Sequence, residues 1–133
     1  MARLDNDAAM ISKSLDGRIT AWNAAAERMF GFPAEEALGK HISIIIPFDY
    51  QDEEYELLDR LKQEDFLEVR CTVRRAKSGE FFEVMLSATP IRDEAGKIIG
   101  ATKMVQRLTP AQSEARANET VLPPQPAPTQ TPG

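Results

Sequence analysis

The chain carries one histidine and one cysteine, the side-chain types whose chemistry lies closest to neutral pH. His41, in "GKHISIII", stands alone in the sequence. A lone imidazole is a weak basis for metal ligation or base catalysis, so it reads as a partly exposed capping or hydrogen-bonding residue. Cys71, in "VRCTVRR", has only Arg70 and Arg74 near it in sequence to lower its pKa. It reads as a small core or sheet residue rather than a redox thiol. The acids Asp52, Glu53, Glu54 and Glu56 have the chemistry of a cation site. Acids also favour helix N-termini, where the macrodipole stabilises them, so they read as a solvated helix start. No serine–histidine or paired-acid spacing has a mechanism behind it. The chain reads as a non-enzyme with no catalytic residue and no metal site.

Positioning these residues requires a fold, and turn chemistry outlines it. Asp16-Gly17 sits between "AAMISKSL" and "RITAW", a hairpin signature. Asn23 is placed to cap a helix from Ala24, with Ala26, Met29 and Phe30 on one face and Gly31 ending it. Pro33 opens a further short turn, and Gly39 closes it. "ISIII" fits either a buried strand or a short buried helix, since periodicity does not separate the two. "DYQDEEYELLDRLKQED" is the longer helix, with Tyr55, Leu58 and Leu61 as its inward stripe and Leu57 beside it. Three strand candidates follow. Leu67, Val69, Cys71 and Val73 share one face of the first, and Phe82, Val84, Leu86 and Ala88 one face of the second. "KIIGATKMVQRL" is the third, and glycine-containing loops join them. Five strands with helices on one face make an antiparallel α+β domain.

The chain has 133 residues, 42% of them hydrophobic, enough for a single core. No apolar run approaches a membrane span, and the N-terminus lacks a signal peptide's apolar region. One cysteine excludes an internal disulfide and fits a reducing, cytoplasmic setting. The net charge of −5, without a basic cluster, argues against nucleic-acid binding. After Leu108 the composition changes: the tail from Thr109 to Gly133 holds six of the nine prolines. It reads as largely disordered, with a short helix available behind Thr109 as N-cap and Pro110 as first residue. The expected division is a domain over 1–108, its core about 7–108, and a Pro-rich tail over 109–133.

The order of these segments resembles a PAS domain of the bacterial two-component sensor-kinase type. "LDGRITAWNAAAERMFGFPAEEALGK" is similar to the family's first hairpin and short helices. "IIIPFDYQDEEYELLDRL" is similar to the entry into its long helix, and "TVRRAKSGEFFEVMLSATPIRDEAGKIIGATKMVQRLT" to its last three strands. The resemblance implies a PAS fold, a five-stranded antiparallel sheet with short helices and one longer helix on one face. It implies a non-enzymatic sensory and protein-interaction module that binds a small ligand, docks to a signalling partner such as a histidine kinase, or does both.

Two PAS subclasses have chemistry visible in sequence. The family's haem sensors carry an axial histidine on the long helix, where this chain has about Glu54, a poor haem ligand. Its blue-light LOV members need a cysteine where this chain has Ile42. Haem of the kinase type and a cysteinyl-flavin adduct are therefore disfavoured, and no cofactor is assigned. A flavin- or haem-binding light, oxygen or redox sensor is the alternative, with Trp22 and Asn23 as flavin contacts; core packing and a helix cap are the simpler reading of that pair. An ultraviolet–visible spectrum separates a coloured protein from a colourless one.

The expected ligand pocket comprises Ile11, Trp22, Met29, Phe30, Ile44, Ile45, Leu58, Leu61, Val73, Val84, Leu86 and Met104. A homodimer, or PAS–PAS pairing with a signalling protein, is expected through Phe81, Met85 and Ile99. The family usually ends its last strand with an Asp-Ile-Thr-like triplet leading to a coiled-coil output helix. Here Arg107 replaces the acid and no heptad run follows. The module is expected to be free-standing.

Overall fold

A computed structural model describes residues 8–64 and 68–121. Strand β1 (Ala9–Ser14) turns back through Asp16-Gly17 into β2 (Ile19–Trp22). Gly17 takes a φ of 87°, and the turn closes through Gly17 N to Ser14 O at 3.0 Å. Asn23 then starts α1 (Ala24–Phe30). Its Oδ1 accepts from Ala26 N at 2.9 Å and from Met10 N at 3.0 Å, so one side chain both caps the helix and ties it to β1. Gly31 ends the helix in the left-handed conformation at a φ of 83°. Helix α2 (Ala34–Ala37) follows Pro33.

"ISIII" resolves as a 3-10 helix over Ile42–Ile45, capped by His41. A second 3-10 turn (Phe48–Tyr50) leads into α3 (Asp52–Glu64). Strands β3 (Glu68–Arg75), β4 (Phe81–Arg92) and β5 (Ile98–Arg107) complete an antiparallel sheet of order β2-β1-β5-β4-β3. The two ends of the domain thus meet at its centre, where β1 pairs β5 from Ala9↔Val105 to Ser14↔Gly100. Gly100 makes that approach possible, because a Cβ there would lie 2.2 Å from Lys13 O. Helix α4 (Pro110–Val121) extends from β5. Thr109 Oγ1 accepts from Gln112 N at 3.1 Å and Gln112 Oε1 accepts from Thr109 N at 2.8 Å, a reciprocal cap. This helix takes up the first half of the segment expected to be mainly disordered; the prolines from Pro123 onward lie outside the described residues.

The inner face of the sheet carries the core. Phe30 packs against Phe82 at 5.7 Å between ring centroids and against Trp22 at 5.8 Å, with Ile11, Val84, Leu86 and Val105 around them. The same face also carries polar side chains. Lys13, Thr72, Arg74 and Lys103 are buried on it and meet Glu53 and Glu54 of α3.

Two expectations for packing change accordingly. Tyr55 was expected in the inward stripe of the long helix, but it is 70% exposed and Glu54 beside it is 6% exposed. The buried ammonium groups opposite require a carboxylate, which rotates the inward face of the helix by one residue. The acids are likewise not a uniformly solvated helix start. Asp52 and Glu56 are exposed, whereas Glu53 and Glu54 turn inward.

Candidate functional site

Alternation along two strands builds the ionic cluster. Ala9, Ile11 and Lys13 point inward from β1, and Ala101, Lys103 and Val105 from β5. Both lysine side chains are buried, and both pair with Glu54, Lys13 through Oε2 and Lys103 through Oε1. Burial opposes the Glu54 charge, but the Lys103 and Lys13 ammoniums together outweigh it and hold the carboxyl at about 2. Burial pulls Lys103 down to about 8, with Glu54 working the other way. Beside this triad, Thr72 Oγ1 donates to Glu53 at 2.7 Å and Arg74 Nη1 donates to Glu53 Oε1 at 3.2 Å. Arg74 also donates to Val73 O at 2.8 Å. Burial lowers the Arg74 pKa, against the raising effect of Glu53.

A cavity of about 160 Å³ opens next to this cluster. Its wall comes from the first turn (Leu15, Asp16, Gly17), the 3-10 segment (His41, Ser43, Ile46) and the start of α3 (Gln51, Glu54, Tyr55). His41 is fixed in that wall. Its Nδ1 accepts from Ser43 N at 3.1 Å, Arg18 bridges it to the hairpin, and a Cβ on Gly17 would lie 2.5 Å from its Nε2. Asp16 is held below the usual carboxylate range by the Ser14 hydroxyl. Glu54 belongs to both features: it lines the cavity and it neutralises the lysines behind it.

Among the described residues, none of those expected to form the pocket lines this cavity. Ile11, Trp22, Phe30, Ile45, Val84 and Leu86 belong to the hydrophobic core, with Met29 and Ile44 packed against it. Trp22 Nε1 donates to Phe32 O at 2.9 Å, the anchored packing role that the simpler reading gave it. Val73 and Met104 are corrections. The pairing Thr72↔Val84 turns Thr72 inward and leaves Val73 half-buried on the other face, and Met104 is 43% exposed beside Met10. A one-residue shift of register exchanges the faces of a strand, which is why both moved. The side chains of Leu58 and Leu61 lie outside the described residues, as does Leu67.

Of the expected docking residues, Phe81, 59% exposed, and the half-buried Met85 alternate along the outward side of β4. Ile99 is the extra residue of a bulge between Gly100↔Ile91 and Ile98↔Arg92, so it leaves that alternation. Lys13, Lys103 and Thr72 went unremarked in the sequence and Arg74 was noted only as a neighbour of Cys71, although each stands two residues from an apolar or buried neighbour on its own strand face.

A family model for the PAS fold matches residues 5–108. The chain belongs to the PAS family. Members of this family generally serve as sensory modules without catalysis, and the five-stranded sheet with helices on one face is the PAS α+β fold. Among solved structures, the PAS domain of a protein from Colwellia psychrerythraea superimposes with a TM-score of 0.71 at 21% identity, covering 77% of this chain and 86% of that one. The light state of the blue-light photoreceptor Aureochrome1 LOV gives a TM-score of 0.68 at 12% identity, over 89% of this chain and 94% of that one. An RNA-binding light-oxygen-voltage receptor gives 0.68 at 18% identity, over 89% of this chain and 35% of that one. At these identities the likeness is one of fold. A search of curated protein sequences returned no match.

The residues present do not fit a flavin or haem in this cleft. The cavity of about 160 Å³ matches one that takes a benzene-sized molecule, roughly 150 Å³. Ile42 is fully buried in its 3-10 helix, and Cys71 lies on β3 with its Sγ 3.7 Å from Met85 Sδ. Among the described residues, the inner face of the sheet carries the aromatic core and the ionic cluster.

Proposed function

We propose that this PAS domain is a non-enzymatic sensor that takes a small ligand in the cavity beside Glu54 and reports its occupancy to a signalling protein. The observation that carries the reading is the cavity itself: its wall joins the first hairpin, the 3-10 segment and α3 beside the described core. A ligand there touches all three elements at once. Docking uses the outward side of the sheet, where Met10, Phe81, Met85 and Met104 form an apolar surface. The partner is a second copy or the PAS domain of a bacterial two-component histidine kinase, in the cytoplasm. Residues 1–108 are the sensory domain, and the segment from Thr109 is its connection outward.

The test is an amide-resolved NMR screen of the full chain against a set of small polar and apolar fragments. Binding in the cavity shifts the amides of Gly17, Ser43 and Gln51 together. A set that leaves all three unmoved removes the ligand reading and leaves docking alone.

A further inference from the structure

The buried cluster has one more cation than its carboxylates balance. Among the described residues, the carboxylates paired with Lys13, Lys103 and Arg74 are those of Glu53 and Glu54. Glu53 is engaged by Thr72 and Arg74 on the β3 side, so the single carboxylate of Glu54 serves both lysines. A buried ammonium needs an anionic partner, because an unpaired charge is strongly disfavoured away from water. The need is for a carboxylate, not for that of Glu54 in particular. Glu54 is also the group that separates the lysines from the cavity, since it forms part of the cavity wall. Leu15 and Ile46 supply apolar wall on the same opening, and Ser43 and Gln51 supply polar wall.

From this juxtaposition we infer that the cleft binds a short-chain carboxylate, which displaces Glu54 from Lys13 and Lys103. The ligand's carboxylate takes over the two ammoniums, and its chain of a few carbons lies against Leu15 and Ile46. The exchange replaces one carboxylate–ammonium set by another, so the interior loses no ionic partner. Glu54, released, swings toward the cavity mouth, and the first turn of α3 loses its tie to β1 and β5. Occupancy is thereby converted into a change in how α3 sits on the sheet. This inference rests on the ligand reading of the cavity and names the class of ligand.

Glu54 is an intramolecular competitor, so the apparent affinity of the natural chain is reduced by the fraction of molecules in which it has let go. Removing its charge removes the competitor. The experiment titrates the 15N-labelled full chain with sodium butyrate, with butyramide, and with sodium chloride at matched ionic strength. The expected result is a saturable shift of the Gly17, Ser43 and Gln51 amides with butyrate alone. Glu54→Gln should tighten butyrate binding by about tenfold or more, and Lys103→Met should abolish it. Butyramide matching butyrate, or butyrate doing no more than chloride, overturns the inference. Should Glu54→Gln not fold, the comparison of butyrate with butyramide on the unaltered chain decides alone. Saturation by butyramide would retain the cavity as a ligand site while rejecting a carboxylate ligand. Failure of butyrate together with the whole fragment set rejects the cavity reading as well.

Discussion

Glu54 sets the pH response of the domain at the scale of one residue. Its carboxyl stands at about 2 in the folded chain against an ordinary 4.5. A depressed carboxyl contributes stability that is present in full above 4.5 and is lost as the pH falls toward 2. The shift corresponds to about 3 kcal/mol at neutral pH. Urea denaturation of the unaltered chain and of Glu54→Gln should therefore differ by about 3 kcal/mol at pH 7, with the gap closing as the pH is lowered through 4.5 toward 2. A gap that stays constant with pH would mean that the carboxylate is not held by the lysines. Lys103 acts at the other end. Its ammonium, at about 8 against 10.5, carries a burial cost that is relieved as the pH rises across that window. The unaltered chain should gain stability from Lys103 between pH 8 and 10.5, and Lys103→Met should lack that gain. Backbone contact matters beside the same lysine. Gly100→Ala drives a Cβ toward Lys13 O, 2.2 Å away, and should cost about 1–3 kcal/mol in the same measurement.

Elements come together here through a few side chains that each serve two of them. Asn23 caps α1 and holds Met10 N and Ala8 O of the first strand segment, at 3.0 Å and 3.3 Å. Asn23→Ala should destabilise the domain by about 1–2 kcal/mol, since it removes a helix cap and the strand contact at once. Thermal or urea melts read this directly, and an unchanged midpoint would show that α1 docks by packing alone. Such local devices were legible in the sequence: Asp16-Gly17, Asn23, Gly31 and Thr109 each act through their own neighbours in the chain. The five strands, their order along the chain and the long helix were legible for the same reason. The cleft was not. Lys13 and Lys103 lie 90 residues apart in sequence and become neighbours only through the β1–β5 pairing, and neither strand alone specifies that register. Glu54 reads as a solvated acid on a helix start until those two ammoniums are placed opposite it. Apolar alternation likewise marks core and pocket alike, so it could not separate Ile11, Val84 and Leu86, which the structure packs in the core cluster, from a pocket lining.

For the molecule as a whole, the sheet has two edges and, among the described residues, one uncovered face, and these differ in what they invite. The β2 edge is four residues long, and the β3 edge carries Arg70, Arg74 and Arg75. Short or charged edges discourage strand-to-strand pairing with another chain. The outward face is the opposite case. Met10 pairs across to Met104, which pairs to Ser87, and Phe81 and Met85 continue the surface along β4. Helix α4 leaves the domain at the border of this face, where Gln112 approaches Met85 and Gln106. A partner seated on the face would therefore touch α4 as well, joining sheet and outgoing helix in one contact. Met104→Glu places a charge at the centre of that surface and should weaken self-association by about tenfold or more, a cost of the size found at the centre of interfaces. Sedimentation velocity over a range of concentrations measures it. The same substitution should leave the unfolding midpoint of the monomer nearly unchanged, because Met104 is exposed in the single domain. A chain that remains monomeric throughout, with and without the substitution, would rule out pairing with itself and assign the face to a different protein.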